Sequence, residues 1–500
     1  MSDGDFAPVP ASRIRVLVGR DADAHGRYVL YWMTASRRTR YNFGLQRAVE
    51  LATELDRPLV VLEALRVGYR WASDRLHQFV IEGMRDNAAA LEGTPARYYP
   101  YVEPEEGAGS GLVEALAAQA CAVVADDYPA FFLPRMLEAA ARKLSVRFEA
   151  VDGNGLFPMW DATQTFSSAY QFRRTLQREL PGHLDARPLA DPLAGTSLAP
   201  LAPGAMEDIE GRWPRAHLDA IDLATLPIDH EVRPSPIPGG AVAARERLHA
   251  FIADSLERYG QGRNHPDDED QSGLSPYLHF GHLGAHEVFA AVAEHEGWTP
   301  ERLGTDTRGH KAGWWGMSAG AEAFLDELVT WRELGFNACV RDPEGYDRYE
   351  SIPGWAQSTL EAHASDDRRR YTLEQLAAAR TEDEVWNAAQ RQLLHEGRIH
   401  NYLRMLWGKR IVEWTQGPRE ALGVMVELNN RYALDGRDPN SCSGILWCLG
   451  KYDRPWGPER PVYGTVRYMS SENTRRKLRM SAYLERWGPD AEGRQAAMPL

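Results

Sequence analysis

The first third of the chain alternates short apolar runs with longer stretches whose apolar residues recur every three or four positions. The short runs suit strands buried in a sheet, and the longer stretches have the spacing of amphipathic helices. This alternation predicts a Rossmann-like parallel α/β domain over residues 1–180. The apolar runs are IRVLV at 14–18, LVVLE at 59–63 and CAVVA at 121–125, and the helical stretches include 41–55 and 132–143.

The pattern changes twice after this domain. Residues 185–240 are rich in Pro, Gly and small side chains, as in PLADPLAGTSLAPLAPG and RPSPIPGG. This composition predicts an interdomain linker over 181–240 that is ordered only where it packs on a neighbour. Helical periodicity dominates from residue 241 onward. We therefore expect a nearly all-α domain over 241–490 and a short tail over 491–500.

Composition narrows the class of protein. The 500 residues are 43% hydrophobic and 26% charged, which is typical of globular proteins. No stretch approaches the ~20 consecutive apolar residues of a membrane span. The N-terminal MSDGDFAPVPASR lacks the apolar run of a secretory signal. We therefore expect a cytoplasmic protein without a membrane partner.

Charge and cysteine usage limit the partners. The net charge of −14 argues against a general nucleic-acid coat but allows local arginine patches. The four cysteines, at positions 121, 339, 442 and 448, form no CxxC pair and have no clustered histidines. Zinc sites and cysteine-ligated iron–sulfur clusters need such clusters. We therefore expect reduced thiols and no metal.

The stretch SGLSPYLHFGHL, residues 272–283, is a candidate phosphate-binding segment. Small hydroxyl residues and glycine let backbone N–H groups approach a phosphate closely, especially where a helix begins. Ser272, Gly273, Leu274 and Ser275 could therefore hold a diphosphate. An ordinary helix cap at Ser275, with proline at the first helical position, explains the same letters about as well.

Two helical stretches carry aromatic residues with a regular spacing. In FLDELVTWRELGFN, residues 324–337, Glu327 and Trp331 are four positions apart and share a helix face. An aromatic wall beside a hydrogen-bonding carboxylate suits a nucleobase displaced from a duplex, although ordinary amphipathicity explains this stretch too. In EGRIHNYLRMLWGKRIVEW, residues 396–414, Trp407 and Trp414 lie about 10 Å apart on one face. Core packing is the simple alternative for this second pair.

Six segments in the second half resemble, in order, those of the photolyase/cryptochrome family, and most closely class II cyclobutane pyrimidine dimer photolyases. An ordered set is more specific than any single member, and VLYWMTASRRTRYNFGLQRAVELA at 29–52 adds weaker support. The six segments are LSPYLHFG, ELVTWREL, VWNAAQRQLLHEG, LRMLWGKRIVEW, LDGRDPN and ERPVYGTVRYM.

The resemblance implies the photolyase/cryptochrome fold, in which a Rossmann-like domain precedes a helical domain that holds a U-shaped FAD. It also implies an enzyme, deoxyribodipyrimidine photo-lyase. In this family light excites reduced FADH⁻, which gives an electron to a pyrimidine dimer flipped out of UV-damaged DNA. The cyclobutane ring splits and the electron returns. We expect such a protein to act as a monomer.

The resemblance also assigns residues to the flavin. Arg404 and Asp435 match an Arg/Asp pair beside the isoalloxazine ring, and Asn429 matches the asparagine that faces flavin N5. The other residues expected to bind the cofactor are Tyr259, Ser272, Gly273, Leu274, Ser275, Arg332 and Arg437.

On the DNA side, Glu327 matches the carboxylate that bonds the base edge of the dimer. Trp331 and Trp447 match the aromatic walls of its pocket, and Met405 matches a neighbouring wall. Arg454 and Arg467 match positive residues near the DNA backbone and the space that the flipped dimer leaves.

The same resemblance explains the spaced tryptophans. In class II enzymes three tryptophans carry electrons to an oxidised flavin. Trp407, Trp386 and Trp414 match the proximal, middle and distal positions. Trp386 belongs to the preceding helix, so tertiary packing must bring it between the other two. Core packing remains part of the role of all three.

Some positions depart from the class II pattern. Asn401 stands where glycine is common, Gln271 stands where threonine is common, and Gly457 is an extra residue in the DNA-facing loop. The N-terminal domain shows no diagnostic antenna motif, and an 8-hydroxy-5-deazaflavin type of antenna is our hypothesis. Two other functions stay open, a cryptochrome-like flavin photoreceptor without repair activity and a light-independent DNA-binding protein. The short tail and the retained Glu327, Trp331 and Trp447 favour the enzyme.

Overall fold

The computed structural model describes residues 7–489, and its N-terminal part is built around one six-stranded sheet. The predicted tail, residues 491–500, lies outside the described residues. The strands are β1 (Ile14–Val18), β2 (Tyr28–Met33), β3 (Leu59–Leu65), β4 (Arg97–Val102), β5 (Ala120–Asp126) and β6 (Arg147–Val151). They lie in the order β1-β6-β5-β2-β3-β4.

Neighbouring strands are parallel except at one edge, where β1 pairs antiparallel with β6. An edge strand has a partner on one side only, and an antiparallel edge on a parallel sheet is common. The chain leaves β2 in one direction toward β3 and β4, and later returns to the other side of β2 with β5 and β6. Such a switch point leaves a crevice at the carboxyl ends of the strands.

Three of these strands are absent from the sequence-based prediction. β2 is buried at every position, as the predicted β5 is, so burial does not distinguish its run YVLYWM from the strands that were predicted. β4 contains Pro100, which removes a backbone donor. The proline is tolerated because β4 is the second edge strand. β6 is a short strand of five residues.

Helices cover the sheet and continue the chain beyond it. Asn42 caps the first helix by accepting a hydrogen bond from the backbone N–H of Leu45. The helices up to residue 212 are α1 (Phe43–Glu54), α2 (Asp74–Leu91), α3 (Leu112–Ala117), α4 (Leu133–Ala141), α5 (Ala169–Glu179) and α6 (Glu207–Arg212).

From residue 240 the described chain consists of helices and loops, with one isolated bridge between Arg460 and Gly464. The α/β and all-α fold class is therefore confirmed. The helices are α7 (Gly240–Asp254), α8 (Tyr259–Gly262), α9 (Ser275–Phe280), α10 (Ala285–His295), α11 (Ala319–Leu325), α12 (Arg332–Arg341), α13 (Gly354–Ala362), α14 (Leu373–Ala377), α15 (Glu384–Glu396), α16 (Asn401–Trp414), α17 (Pro418–Tyr432), α18 (Pro439–Cys448), α19 (Ser471–Lys477) and α20 (Ser481–Arg486).

The Pro- and Gly-rich stretch between the two parts covers the sheet. Leu193 and Leu218 are buried in the same cluster as β2 residues on one face, and Ile209 and Trp213 are buried on the other. Burial of these apolar side chains explains how a stretch with little regular structure stays ordered. The predicted domain limits stay predictions. No helix within residues 7–489 has the length and apolar character needed to cross a bilayer.

One arginine of α2 joins the two parts of the chain. Arg75 is almost fully buried, and its guanidinium donates to the carbonyls of Leu393 at 3.0 Å and Leu394 at 2.5 Å near the end of α15. It also donates to the carbonyl of Tyr432, the last residue of α17, at 2.7 Å. A fourth bond goes to the Arg233 carbonyl at 3.0 Å. A positive charge at two helix C-termini is favourable, and it satisfies carbonyls that lack helical partners.

We expect Arg75→Met to lower the free energy of unfolding by about 3 kcal/mol, because it leaves several buried carbonyls without donors. Arg70→Met is the matched control, since Arg70 pairs with Glu427 but its side chain is 70% exposed. Its cost should stay below about 1 kcal/mol. Urea unfolding of both variants measures the difference, and equal midpoint shifts would contradict the role given to Arg75.

Candidate functional site

The residues expected beside the flavin ring converge where α16, α17 and α18 meet. Arg404 of α16 donates to the two carboxylate oxygens of Asp435 at 3.0 and 2.8 Å. Its other terminal nitrogen donates to the Asn429 side-chain oxygen and, at 3.1 Å, to the Ser441 hydroxyl. α17 supplies Asn429, α18 supplies Ser441, and the loop between them supplies Asp435. The structure therefore brings three of the predicted residues into one hydrogen-bonded cluster.

Electrostatics keep this cluster ionised. Burial opposes the charge on Asp435, but the charge of Arg404 and hydrogen bonds from Arg404 and Ser275 hold the pKa of the carboxyl below its usual range. The Asn429 side chain is also held by its amide nitrogen. This nitrogen donates to the Asn430 side-chain oxygen at 3.0 Å and to the Ser441 hydroxyl at 2.9 Å. The cluster is a partly buried ion pair, with Asp435 buried and Arg404 partly exposed, and its neighbours hold both partners in place.

The loop that carries Asp435 is held by local bonds. Asp438 caps α18 by accepting a hydrogen bond from the Asn440 N–H at 2.8 Å. Arg437 has a left-handed φ of 66°. Its N–H and guanidinium donate to Asn430 at 3.0 and 2.5 Å, and the guanidinium carbon lies 6.0 Å from the centre of the Phe280 ring. The bonds of Arg437 thus maintain the shape of the loop.

The predicted phosphate segment forms a tight turn before α9. Gly273 has a φ of 68°, and a Cβ there would lie 2.9 Å from Nε of Arg247. Arg247 donates to the carbonyls of Ser272 at 2.7 Å and Gln271 at 2.6 Å. The alternative of a helix cap at Ser275 is wrong. Ser275 is the first residue of α9, and the N-cap position is Leu274, whose side chain has no atom that could cap the helix.

Arg247 borders this turn, and the charge of Arg398 acts both on Arg247 and on the buried His400. His400 is buried, and neither ring nitrogen has a hydrogen-bond partner within residues 7–489. Burial, and then the charge of Arg398, lowers its pKa to about 4. Burial and Arg398 also lower the pKa of Arg247. A bound diphosphate would supply both the missing negative charge and acceptors for these donors, so the residues present fit an anionic cofactor group.

Two other residues expected at the flavin have other partners. Tyr259 is packed edge-on against Phe251 at 5.6 Å, and burial followed by the charge of Glu327 raises its pKa. Arg332 donates to the Asn154 carbonyl, in the N-terminal part, at 2.6 Å. Within the described chain neither residue has a hydrogen bond to the Arg404 cluster.

Glu327 and Trp331 lie on a π-helical segment, Asp326–Trp331, between α11 and α12. The expected α-helical spacing is therefore replaced by a wider turn. Such turns often occur at functional sites. Arg263 donates to the Glu327 carboxylate, and this ion pair raises the pKa of Arg263 although burial opposes it. Sequence reasoning missed Arg263, and its position four residues after Tyr259 was the available signal.

Trp447 near the end of α18 is bordered by two cations. The Lys409 ammonium lies 4.9 Å from the ring centre, and the Arg467 guanidinium carbon lies 5.6 Å from it. α16 and α18 are close here, since the Cys448 thiol is 3.9 Å from the Met405 carbonyl. Trp331, Met405 and Trp447 are all partly exposed, which a contact surface requires.

The loop expected to face DNA is organised around an indole that the sequence prediction did not include. The Trp456 ring has the guanidinium carbons of Arg467 and Arg454 at 4.0 and 4.4 Å from its centre. Asp453 accepts from Arg467 at 2.8 and 3.2 Å and from the Trp456 indole N–H at 3.1 Å. The extra residue Gly457 follows Trp456 directly. The two predicted arginines thus belong to one cluster.

The three predicted relay tryptophans are in contact and fully buried. Trp386 is stacked on Trp407, with ring centres 6.3 Å apart and planes 3° apart. Trp386 also meets Trp414 edge-on, at 5.4 Å and 73°. Its indole N–H donates to the Trp407 carbonyl at 3.0 Å, and that of Trp407 donates to the Gln390 side chain at 2.9 Å. Trp386 fills the gap between the other two rings.

A cavity of about 640 Å³ lies at the carboxyl ends of the parallel strands and reaches α9 and the Arg437 loop. Aromatic rings and cations dominate its wall. Separately, no three His, Cys, Asp or Glu side chains within residues 7–489 cluster as metal ligands would. The cavity-lining residues include Trp32, Tyr69, Tyr101, Phe131, Phe132, Phe280, Arg37, Arg66, Arg135 and Arg437.

Comparison with known proteins gives relatives over nearly the whole chain, although no protein-family model matches. The chain is 34% identical over 480 residues to a deoxyribodipyrimidine photo-lyase of Methanothermobacter thermautotrophicus, covering 96% of this chain and 98% of the relative. It is 33% identical to the rice protein of that name (Oryza sativa subsp. japonica), covering 96% and 92%. A solved bacterial class III photolyase from Agrobacterium tumefaciens superposes with a TM-score of 0.63 over 93% of this chain and 87% of that one. Because the sequence identity is only 17%, that structure supports the assignment of the fold and nothing further. The chain belongs to the deoxyribodipyrimidine photo-lyase family.

Proposed function

We propose that this protein is a light-driven DNA repair enzyme that splits cyclobutane pyrimidine dimers. The observation that carries the proposal is that a single turn of α16 holds residues of three different parts of the site. Arg404, which is part of the cluster with Asp435 and Asn429, is followed by the pocket residue Met405 and then by Trp407 of the indole stack. A cofactor site, a substrate site and a path for electrons thus adjoin one another. A protein that only binds DNA needs neither the cluster nor the stack.

Class II membership is the finer part of the proposal. The six ordered segments of the second half support it. The solved class III relative, at 17% identity, does not decide between the classes.

The cofactor of the proposal is FAD, with reduced FADH⁻ as the active form. On absorbing light, bound FADH⁻ supplies the electron that opens the cyclobutane ring and accepts it back. The Arg404 and Asp435 pair would border the ring system, where a buried cation favours an anionic ring. Asn429 would offer an amide there that does not titrate. The turn at Ser272–Ser275, which Arg247 borders, would hold the diphosphate.

The substrate pocket of the proposal uses Trp331 and Trp447 as walls and Glu327 as the acceptor for the polar edge of a base. Stacking on an aromatic wall contributes ~1–3 kcal/mol per base. Arg263 donates to the Glu327 carboxylate and fixes its direction. Arg454 and Arg467 would meet phosphates, and the indole between them would support the gap in the stack. The alternative, a photoreceptor without repair, leaves this pocket without a substrate.

We also propose that the cavity at the strand ends holds an antenna chromophore of the 8-hydroxy-5-deazaflavin type. Its volume of about 640 Å³ suits a ligand of that size. The aromatic wall suits a planar ring system, and the arginines suit an acidic group. His279 and Phe280 belong to the wall, so such a chromophore would lie near the helix that begins at the phosphate turn.

The deciding experiment is a light-dependent repair assay on a duplex with one thymine dimer, using purified and reduced protein. We expect repair in blue light and none in darkness. Glu327→Gln should slow repair about ten- to hundredfold, because it removes a charge-assisted hydrogen bond to the base, and FAD retention should not change. Glu384→Gln, whose side chain is 70% exposed, is the control. Dimer binding without repair in light would favour the photoreceptor.

Asp435→Asn should weaken FAD retention. It leaves Arg404, whose side chain is 25% exposed, without its counter-charge beside the proposed ring site. Gel filtration followed by absorbance at the flavin bands measures the FAD that stays bound. Asp306→Asn is the control, because it breaks an exposed pair with Arg308. A variant that keeps wild-type flavin content and dissociation rate would remove the Arg404 cluster from the cofactor site.

Trp407→Phe should block or severely slow photoreduction of oxidised FAD, because phenylalanine keeps most of the bulk but is much harder to oxidise. Repair that starts from chemically reduced protein should survive. Flavin absorbance under blue light with an external reductant measures the photoreduction. The repair assay measures the activity of the chemically reduced protein. Trp298→Phe is the control, since Trp298 is buried against Phe289 outside the stack. Normal photoreduction with only a lower Tm would leave Trp407 as a core residue.

A further inference from the structure

Lys409 of α16 is fully buried, with 0% of its surface exposed. Its ammonium donates to the carbonyl of Cys448, the last residue of α18, at 2.8 Å. The same ammonium lies 4.9 Å from the centre of the Trp447 ring. Within residues 7–489 no carboxylate lies within ion-pair distance of it. Lys409 is therefore a buried cation whose partners are a helix terminus and an indole.

Such a cation is costly to keep. Desolvation of a charge opposes folding unless specific partners repay it, and a methionine would fill the same space without this cost. Neighbouring positions of α16, such as Leu406 and Ile411, are apolar. The carbonyls at the end of α18 favour a positive charge, and the face of an indole attracts an ammonium. Both partners of the ammonium, the Cys448 carbonyl and the Trp447 indole, belong to the last turn of α18.

We propose that Lys409 is a positioning residue for lesion recognition, whose ammonium holds the Trp447 indole in the orientation on which a displaced pyrimidine stacks. This inference rests on the proposed function, in which Trp447 is one wall of the dimer pocket. Lys409 acts through Trp447 and does not touch the substrate.

The surroundings of Trp447 explain why a second cation is needed. The ring is partly exposed. Arg467 also approaches it, at 5.6 Å, but this guanidinium lies closer to Trp456, at 4.0 Å, and is bonded to Asp453. Lys409, by contrast, is fixed to α18 itself. Its bond to the Cys448 carbonyl and its contact with the preceding indole together hold the ring relative to its own helix.

The charge of Lys409 can be removed by pH. The pKa of Lys409 is lowered to about 8, mainly by burial and also by the charge of Arg467. The Cys448 thiol and Asp453 act in the opposite direction. The ammonium therefore holds Trp447 below pH 8 and is lost above it. Burial raises the pKa of the Cys448 thiol to about 11. Asp453 stays ionised, because its pKa lies below the usual range.

Stability and lesion binding should then respond to pH in opposite directions. In the unfolded chain the pKa of lysine is near 10.4, so between pH 8 and 10 the unfolded state binds more protons at this residue than the folded state. The contribution of Lys409 to stability therefore rises with pH. Its contribution to lesion binding falls, because the cation that positions Trp447 disappears. A role in packing alone predicts no loss of binding.

The experiment measures fluorescence anisotropy in darkness with the FAD-loaded protein and two labelled duplexes, one with a thymine dimer and one undamaged. The ratio of the two Kd values removes the general attraction to phosphates. From pH 7 to pH 9 we expect wild-type selectivity to fall about three- to tenfold. Lys409→Met should show the lower selectivity already at pH 7, with a flat pH profile and an unchanged Kd for undamaged DNA.

Lys451→Met is the matched control. Lys451 is another poorly exposed lysine of this region, which donates to the Ser351 hydroxyl at 3.0 Å and lies 5.6 Å from the Tyr452 ring. Burial lowers its pKa as well, so it tests whether any buried lysine produces the pH profile. We expect this variant to keep wild-type selectivity and the wild-type fall between pH 7 and pH 9.

Wild-type selectivity and an unchanged pH profile in Lys409→Met would overturn the inference. If that variant loses FAD or unfolds, the titration of the wild type decides, since a selectivity that stays flat from pH 7 to pH 9 overturns the inference equally. Failure of the proposed function looks different. A wild-type protein that binds the two duplexes equally at pH 7 has no lesion pocket for Lys409 to support.

Discussion

The ion pair between Arg404 and Asp435 sets the requirement that much of the helical part fulfils. A buried pair of charges is tolerated only where the remaining donors and acceptors are satisfied. Asn429 and Ser441 accept hydrogen bonds from the other terminal nitrogen of Arg404. The Ser275 hydroxyl bonds to Asp435. These partners come from α9, α17 and α18. Three separate stretches of sequence must therefore fold together before the pair is stable.

The two parts of the chain are joined by similarly demanding polar contacts. Arg75 reaches from α2 to the ends of α15 and α17. In the opposite direction Glu333 of α12 accepts hydrogen bonds from the backbone N–H groups of Leu156 and Phe157, at 2.8 and 3.2 Å. Burial raises the pKa of Glu333 to about 7. Such contacts fix the relative position of the parts more specifically than apolar packing does, and the cavity at the strand ends lies along this boundary.

How much of the structure can be predicted from the sequence depends on how far apart in the chain the interacting residues lie. Strands β1, β3 and β5 and the helices around 43–54 and 133–141 follow local patterns. β2 was missed although it is an apolar run buried on both faces, as β3 and β5 are. The π-helical turn at Glu327 has no local signature. Arg263, Trp456 and Lys409 acquire their surroundings from residues distant in sequence, so only tertiary structure reveals them. The Arg404, Asn429 and Asp435 cluster was accessible through ordered motifs, not through periodicity.

The hydrogen bonds of the tryptophan stack have a consequence for protons. An indole that loses an electron becomes a strong acid at its N–H group, and a nearby base would take the proton and trap the site as a neutral radical. The acceptors here are the Trp407 carbonyl and the Gln390 amide oxygen. Neither is a base near neutral pH. In the proposed relay, a positive hole at Trp386 or Trp407 would therefore move on while the hydrogen stays where it is.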